Sequence, residues 1–290
     1  MAVERPGRRR GPALDRWAVL VLPAIVFLVV FFLAPLVTMS VRSLTDPPGA
    51  GLSNYVKFFE QAANLRVLGN TFWIALLSTL ACVVIGYPYA YLMTIVSGRV
   101  AGLLLIAILL PFWSSLLVRT FAWQVILRDT GIINSLLRDL GLISEPVPLI
   151  RTTLGVIVGM SHILLPFMVL PIYAVMRRID PEFGRAAANL GASPSRAFVR
   201  VFMPLTLPGV LAGALLVFVL ALGFYITPAL LGGLRDQMIS QLIVDEVQQA
   251  LDWGSASAMA VVLMAITFAI LFVASRLVRL RDVFGSALEE

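Results

Sequence analysis

Residues able to do chemistry are few in this 290-residue chain, and their types and spacing exclude most enzymes. The one lysine, Lys57, lies in NYVKFFE, and no G-x-x-x-x-G-K-[ST] run is present to hold nucleotide phosphates. The one histidine, His162, sits four residues before Pro166 in a hydrophobic run. It reads either as a helix-packing side chain or as part of a solute path. Cys82, the one cysteine, also lies in a hydrophobic run, so neither a disulfide framework nor a metal cluster is expected. No Ser/His/Asp set suited to hydrolysis is apparent. Arg119, in PFWSSLLVRTFAWQ, stands out because charge inside a bilayer is expensive and usually functional. It can snorkel to lipid phosphates, pair with an acid of a neighbouring loop, or line the mouth of a cavity. Trp113, Phe121, Trp123, Phe224 and Tyr225 can face an amine through cation–π contact or form an interfacial belt. The tryptophans suit the belt; Phe224 and Tyr225, beside Gly223, suit the path. Asp236, Asp245, Glu246 and Asp252 stand against Arg235 alone in segment 232–254. These charges form either a solvated loop or an acidic vestibule that would favour a cation.

The elements that must position these residues lie in a membrane. The chain is 60% hydrophobic and 13% charged, with a mean hydropathy of +0.95, whereas soluble domains are roughly a quarter charged. Six apolar runs, near 17–41, 70–96, 101–127, 152–176, 205–231 and 255–277, reach the roughly twenty residues that cross a bilayer. The third is ambiguous at its far end, where Arg119 interrupts it. No Asp or Glu falls inside any of the six. Placing both termini in the cytoplasm, and counting Arg276 there, gives 14 basic residues on cytoplasmic segments and 7 on external ones. The net charges are then +7 inside and −2 outside, as the positive-inside rule requires. That asymmetry accounts for the overall charge of +6 without any nucleic acid partner. The first apolar run is too long for a secretory leader and reads as an uncleaved span behind a basic tail. One domain is expected: a tail at 1–16, six spans over 17–280, and a second tail at 281–290. Among the connections, DPPGAG opens the first external loop, before a short amphipathic piece around Tyr55–Gln61. In the second, Ile132, Ile133, Leu136, Leu137 and Leu140 have the spacing of an interfacial helix. Gly209 and Gly213 form a close-packing pair.

Segment 180–209, DPEFGRAAANLGASPSRAFVRVFMPLTLPG, is too elaborate for a simple return of the chain to the bilayer. Asp180 and Pro181 have the form of a helix start. Phe183, Ala186, Ala187 and Leu190 then make a narrow apolar face, and Gly191 stops the helix. Ser193 and Pro194 start a second helix with Phe198, Val201, Phe202 and Leu205 on its apolar face. Pro204 and Pro208 are expected to break or kink the chain as it re-enters the membrane.

The segment resembles the EAA loop of ABC-importer permeases: Glu-Ala-Ala, three residues, Gly, nine residues, Ile-x-Leu-Pro. Ala186-Ala187, Gly191 and Pro204 fall at its spacing, with Val201 and Met203 in place of Ile and Leu. Arg185 occupies the motif's Glu position, which removes or reverses any ion pair made there. The resemblance covers about Ala18 to Leu280. Gly131-Ile132-Ile133-Asn134 and Gly141-Leu142-Ile143 in the second external loop resemble the spermidine/putrescine branch.

It implies an all-α membrane protein with six transmembrane helices, of the type I ABC importer permease fold, with a cytoplasmic coupling helix. Phe183, Arg185, Ala186, Ala187, Leu190, Gly191, Ala192, Ser193 and Pro204 would then couple the chain to the ATPase, Pro204 by passing the movement to the fifth span. Arg119, His162, Phe224 and Tyr225 are the candidates for the solute path. The implied partners are a cytoplasmic ATPase dimer, a second permease that is commonly a sister chain, an extracytoplasmic solute-binding protein and the lipid of a bacterial inner membrane. ATP would be held by the ATPase, and this chain would bind no cofactor and catalyse no reaction. A polyamine is the expected solute, with an opine, ferric iron, a phosphonate or an amino-acid-like solute as alternatives. An ATPase-independent secondary transporter is the rival class. Such proteins show inverted repeats and broken helices with intramembrane charge, and neither is apparent in the sequence.

Overall fold

The computed structural model describes residues 16–47 and 51–286, with side chains described for 21–47 and 51–276. The basic tail before Arg16, residues 48–50 of the turn-rich loop and the last four residues lie outside these limits. The described residues form helices joined by short turns, with no strand among them.

Five continuous helical segments are long and apolar enough to cross a membrane: Val21–Thr45, Ala62–Ile95, Thr153–Met176, Pro194–Leu222 and Trp253–Arg276. A sixth crossing is the pair Gly98–Trp113 and Leu116–Ile126, bent by 101°. The expected single third span is therefore broken, and Arg119 is not the cause. Pro111 opens a tightened 3-10 turn at Leu110–Trp113, and the chain leaves helical geometry at Ser114, whose ψ is 150°. Apolar residues on both sides hid the break. It also places a charged residue, Arg119, on a half-helix, a feature that the sequence did not suggest.

The second, fourth and fifth spans form the centre of the bundle. Ile74, Cys82 and Met93 of the second meet Met160, Met168 and Ile172 of the fourth and Val217 of the fifth, all fully or almost fully buried. Small residues permit the approach. A Cβ on Gly209 would lie 3.0 Å from the Pro171 carbonyl, and one on Gly213 would lie 3.0 Å from both the carbonyl and Sδ of Met168. The first span sits apart from this core, touching the last span through Ala34–Thr45. Its Phe31 and Phe32 side chains are about two-thirds exposed in the isolated chain.

The fifth span departs furthest from expectation. Neither Pro204 nor Pro208 breaks it: helix runs from Pro194 to Leu222. A π turn at Phe198–Phe202, in which the Met203 N–H reaches the Phe198 carbonyl, precedes Pro204. Widening the turn there relieves the clash that a proline ring makes with the carbonyl four residues back. At the other end the helix stops at Leu222, not at residue 231. Gly223 ends it, Phe224 and Tyr225 are non-helical, and Ile226–Leu231 forms a separate short helix.

Between the third and fourth spans, helix Ile132–Asp139 exposes Ile132, Leu136 and Leu140 and buries Asn134 completely. The Asn134 amide donates to the carbonyls of Arg128 (3.2 Å) and Val147 (3.0 Å), and its oxygen accepts from the Val147 N–H (2.8 Å). Asn134→Ala leaves these backbone groups unpaired, at roughly 1–3 kcal/mol. The variant should melt measurably lower than wild type and be cleaved faster by protease between residues 128 and 147. An unchanged melting temperature would show that these bonds carry no net stability.

Candidate functional site: the segment between the fourth and fifth spans

Asp180 Oδ1 accepts from the Glu182 N–H at 2.9 Å, starting helix Glu182–Asn189. Its end is a Schellman turn. The Ala192 N–H reaches the Ala187 carbonyl (3.0 Å), and the Gly191 N–H reaches the Ala188 carbonyl (2.9 Å). Gly191 is left-handed, with φ +83°, so this turn requires glycine or a residue that tolerates that region. The helix buries Ala187 against the chain, while Ala186 and Phe183 are exposed and Leu190 is 89% exposed. Arg185 pairs with Glu182 at 2.7 Å within the same helix. Both side chains are two-thirds exposed, so the pair adds little stability. Its effect is to hold the Arg185 charge beside the exposed apolar face.

The chain supports this helix chiefly through residues 194–202. From there, Phe198 and Phe202 pack with Tyr91 of the second span at ring distances of 5.1 and 5.5 Å. Beside them lies a cavity of about 810 Å³, lined in part by Tyr91, Val96, Gly102, Tyr173, Phe183 and Phe198. The loop helix thus rests on an aromatic-packed stem beside a cavity. Ser193 precedes the stem in extended geometry, with Pro194 at its first turn. The aromatic cluster was not legible in the sequence, since Tyr91 stands more than a hundred residues from its partners.

The structure brings Arg119 and His162 into one neighbourhood. The Arg119 guanidinium lies 5.8 Å from the Phe112 ring centre, and His162 meets Trp123 edge-on at 5.6 Å. Arg119 Nε and Nη1 and His162 Nδ1 are buried without a hydrogen-bond partner among the described residues. Phe224 and Tyr225 occupy the turn after the fifth span, where the Phe224 carbonyl accepts from the Ser240 hydroxyl at 2.5 Å. Thr120 and Thr227 hydroxyls, 3.3 Å apart, join the half-helix bearing Arg119 to the short helix that follows Tyr225. All four path candidates therefore lie on elements that meet.

The acidic vestibule is smaller than the composition suggests. Asp236 is 5% exposed and accepts from the Gly233 N–H and the Thr153 hydroxyl. Asp252 is paired with Lys57 at 3.2 Å. Burial works to raise the Asp252 carboxyl, but hydrogen bonds from Ser255 and the Lys57 ammonium prevail and hold it below its ordinary range. Asp245 and Glu246 remain. Burial, then the Asp252 charge, pushes Glu246 above its ordinary range, with Lys57 opposing and Asp245 adding. Glu246 consequently loses its charge earlier than an ordinary carboxylate as pH falls. No group of three or more potential metal ligands occurs among the described residues.

The arrangement is a bundle of apolar spans with an exposed, glycine-capped helix on an aromatic-packed stem. Residues 1–282 match the family described as binding-protein-dependent transport system inner membrane component, and the chain belongs to that family. It is 34% identical over 265 residues to the spermidine/putrescine transport system permease protein PotB of Haemophilus influenzae, covering 88% of this chain and 93% of that protein. Identity to PotB of Escherichia coli is 35% over 229 residues, covering 79% and 83%. The molybdenum transport system permease ModB of Mycobacterium bovis is 28% identical over 254 residues, covering 87% and 90%. A solved bacterial ABC transporter that imports the acidic polysaccharide alginate has the same fold, with TM-score 0.72 and 19% identity over 91% of this chain and 94% of that one. A second solved structure of the alginate transporter is in complex with an alginate pentasaccharide-bound periplasmic protein. The protein is thus a permease subunit of an ABC importer.

Proposed function

We propose that this chain and a second permease subunit together form the inner-membrane path for a polyamine, spermidine or putrescine. The observation that carries the proposal is the 34% identity to a spermidine/putrescine permease over nearly the whole of both chains. Asp245 and Glu246, both partly buried, follow Ser240, whose hydroxyl holds the Phe224 carbonyl, and these acids with Phe224 and Tyr225 suit a cationic amine better than an anion. Both termini and segment 180–209 face the cytoplasm, consistent with the +7 and −2 charge distribution.

A separate ATPase pair docks on Phe183, Arg185, Ala186, Leu190, Gly191, Ala192 and Ser193, whereas Ala187, expected on that surface, is buried and packs the helix against the chain. The chain itself performs no covalent chemistry, and ATP is held and hydrolysed by the partner. Closure of the ATPases on ATP displaces the loop helix. The 29-residue helix Pro194–Leu222, which includes Pro204, carries that displacement about 43 Å at 1.5 Å per residue. It ends at Gly223, next to Phe224 and Tyr225, so movement at the cytoplasmic face reorients the opposite end of the path. Arg119 and His162 line the path at the break in the third span.

Reconstitution with the partner permease, ATPase and binding protein tests this reading. Labelled spermidine or putrescine should accumulate in vesicles only with ATP, and each should compete with the other. Accumulation of an opine, ferric iron or a phosphonate that polyamines do not inhibit would replace the substrate assignment. Uptake that persists without ATP and collapses with the ion gradient would replace the importer mechanism.

A further inference from the structure

We propose that the external Gly232–Asp236 turn, with Arg66 and Arg151 beside it, is a basic, leucine-tipped knob that receives an acidic surface of the extracytoplasmic solute-binding protein. The inference rests on the importer reading above and does not depend on which solute is carried. Leu234 is 101% exposed, more than Leu190 on the loop helix at 89%. A single exposed leucine is ordinary; the construction around this one is not. The Asp236 carboxylate turns inward, where it accepts from the Gly233 N–H at 2.9 Å and from the Thr153 hydroxyl at the start of the fourth span. The Asp236 N–H returns to the Gly233 carbonyl at 3.0 Å. From the second span, the Asn70 amide holds the Arg235 carbonyl at 2.6 Å. No side chain fits at the two glycines: a Cβ on Gly232 would lie 2.6 Å from the Pro228 carbonyl, and one on Gly233 would lie 2.6 Å from the Arg151 carbonyl. Arg151 itself is held in the left-handed region at φ 58°, unusual for a residue with a side chain. The tip is therefore presented rigidly, which lowers the ordering cost of an encounter.

Charge identifies the partner. Arg235 is next to Leu234, the Arg151 backbone abuts Gly233, and Arg66 lies one helical turn from Asn70 on the same face. All three arginines are exposed, and none forms an ion pair with a described residue. The one acid of the turn, Asp236, is buried. The knob is tied to the starts of the second and fourth spans, two of the three central spans. Arginine is among the residues enriched at binding hot spots.

The test uses the complete importer in nanodiscs of neutral lipid, with its own binding protein in whichever solute-loaded form it is isolated. Leu234→Ser and Arg235→Glu should each weaken binding by roughly tenfold or more. Complex assembly and the ATPase rate without binding protein should not change. Wild-type affinity should fall as salt rises from about 50 to about 300 mM, as screening requires. A variant with Arg66, Arg151 and Arg235 all replaced by Gln should lose most of that dependence. Equal binding by wild type and variants overturns the knob while leaving the importer reading intact. Loss of the second permease from the variant complexes overturns it in favour of a permease–permease contact. Restoration of wild-type affinity in the variants by anionic lipid overturns it in favour of headgroup binding. Failure of the wild-type importer to bind its binding protein at all removes the importer reading itself.

Discussion

Gly191→Val should abolish ATP-driven uptake while leaving the amount of protein in the membrane unchanged. Gly191 has φ +83°, and a Cβ added there would meet no atom within 4 Å, so the effect is one of backbone and not of space. A β-branched residue in that region is strained by about 1–3 kcal/mol. Relief of the strain unwinds the Schellman turn and re-aims helix Glu182–Asn189 relative to its stem. A strain of about 2 kcal/mol changes the population of the docking orientation by roughly thirtyfold. Substitution series sharpen the expectation. Gly191→Asn, which tolerates the left-handed region, should retain most uptake; Gly191→Ala should fall between. Wild-type uptake by the valine variant would remove the loop helix from the transport mechanism.

The second large effect is expected at Gly213, where the fourth and fifth spans cross. Gly213→Leu drives a Cβ to 3.0 Å from backbone and side-chain atoms of Met168, which is fully buried. Overpacking costs about 1–3 kcal/mol when neighbours can adjust and more when backbone is struck. Accumulation of folded protein, followed by fluorescence-detected size exclusion in mild detergent, should drop severalfold and shift toward aggregate. Gly69→Leu is the control: it lies on the second span with nothing within 4 Å, and its profile should match wild type. Equal profiles for the two variants would mean that this crossing does not hold the bundle together.

What the sequence disclosed and what it concealed follow one pattern. Where structure depends on a local backbone requirement, the residues announced it. Gly191 had to stop a helix, Pro194 had to start one, and Gly209 and Gly213 had to admit a neighbour. Where structure depends on distant contacts, hydropathy misled. Ile226–Leu231 is as apolar as a span interior, yet Gly223 and the non-helical Phe224 and Tyr225 separate it from the fifth span. The third span breaks between two serines flanked by apolar residues, so its average hydropathy stays high across the bend. Asp236 counted as a vestibule charge until its burial against Thr153 removed it. The proximity of Arg119 to His162 had no sequence signal at all. Gly233 with Asp236 three residues on does carry one, since a carboxylate at that spacing can accept from the glycine N–H.

The measurement that bears most directly on coupling is a site-specific cross-link from position 190. Cys82 is buried, so a cysteine at Leu190, itself 89% exposed, would be the reactive thiol of the described residues. In membranes containing the whole importer, a short bifunctional reagent should join Leu190→Cys to the ATPase, and the yield should change when ATP is added. Cross-linking to lipid or to the second permease alone, with no ATPase adduct in either nucleotide state, would contradict docking through segment 180–209.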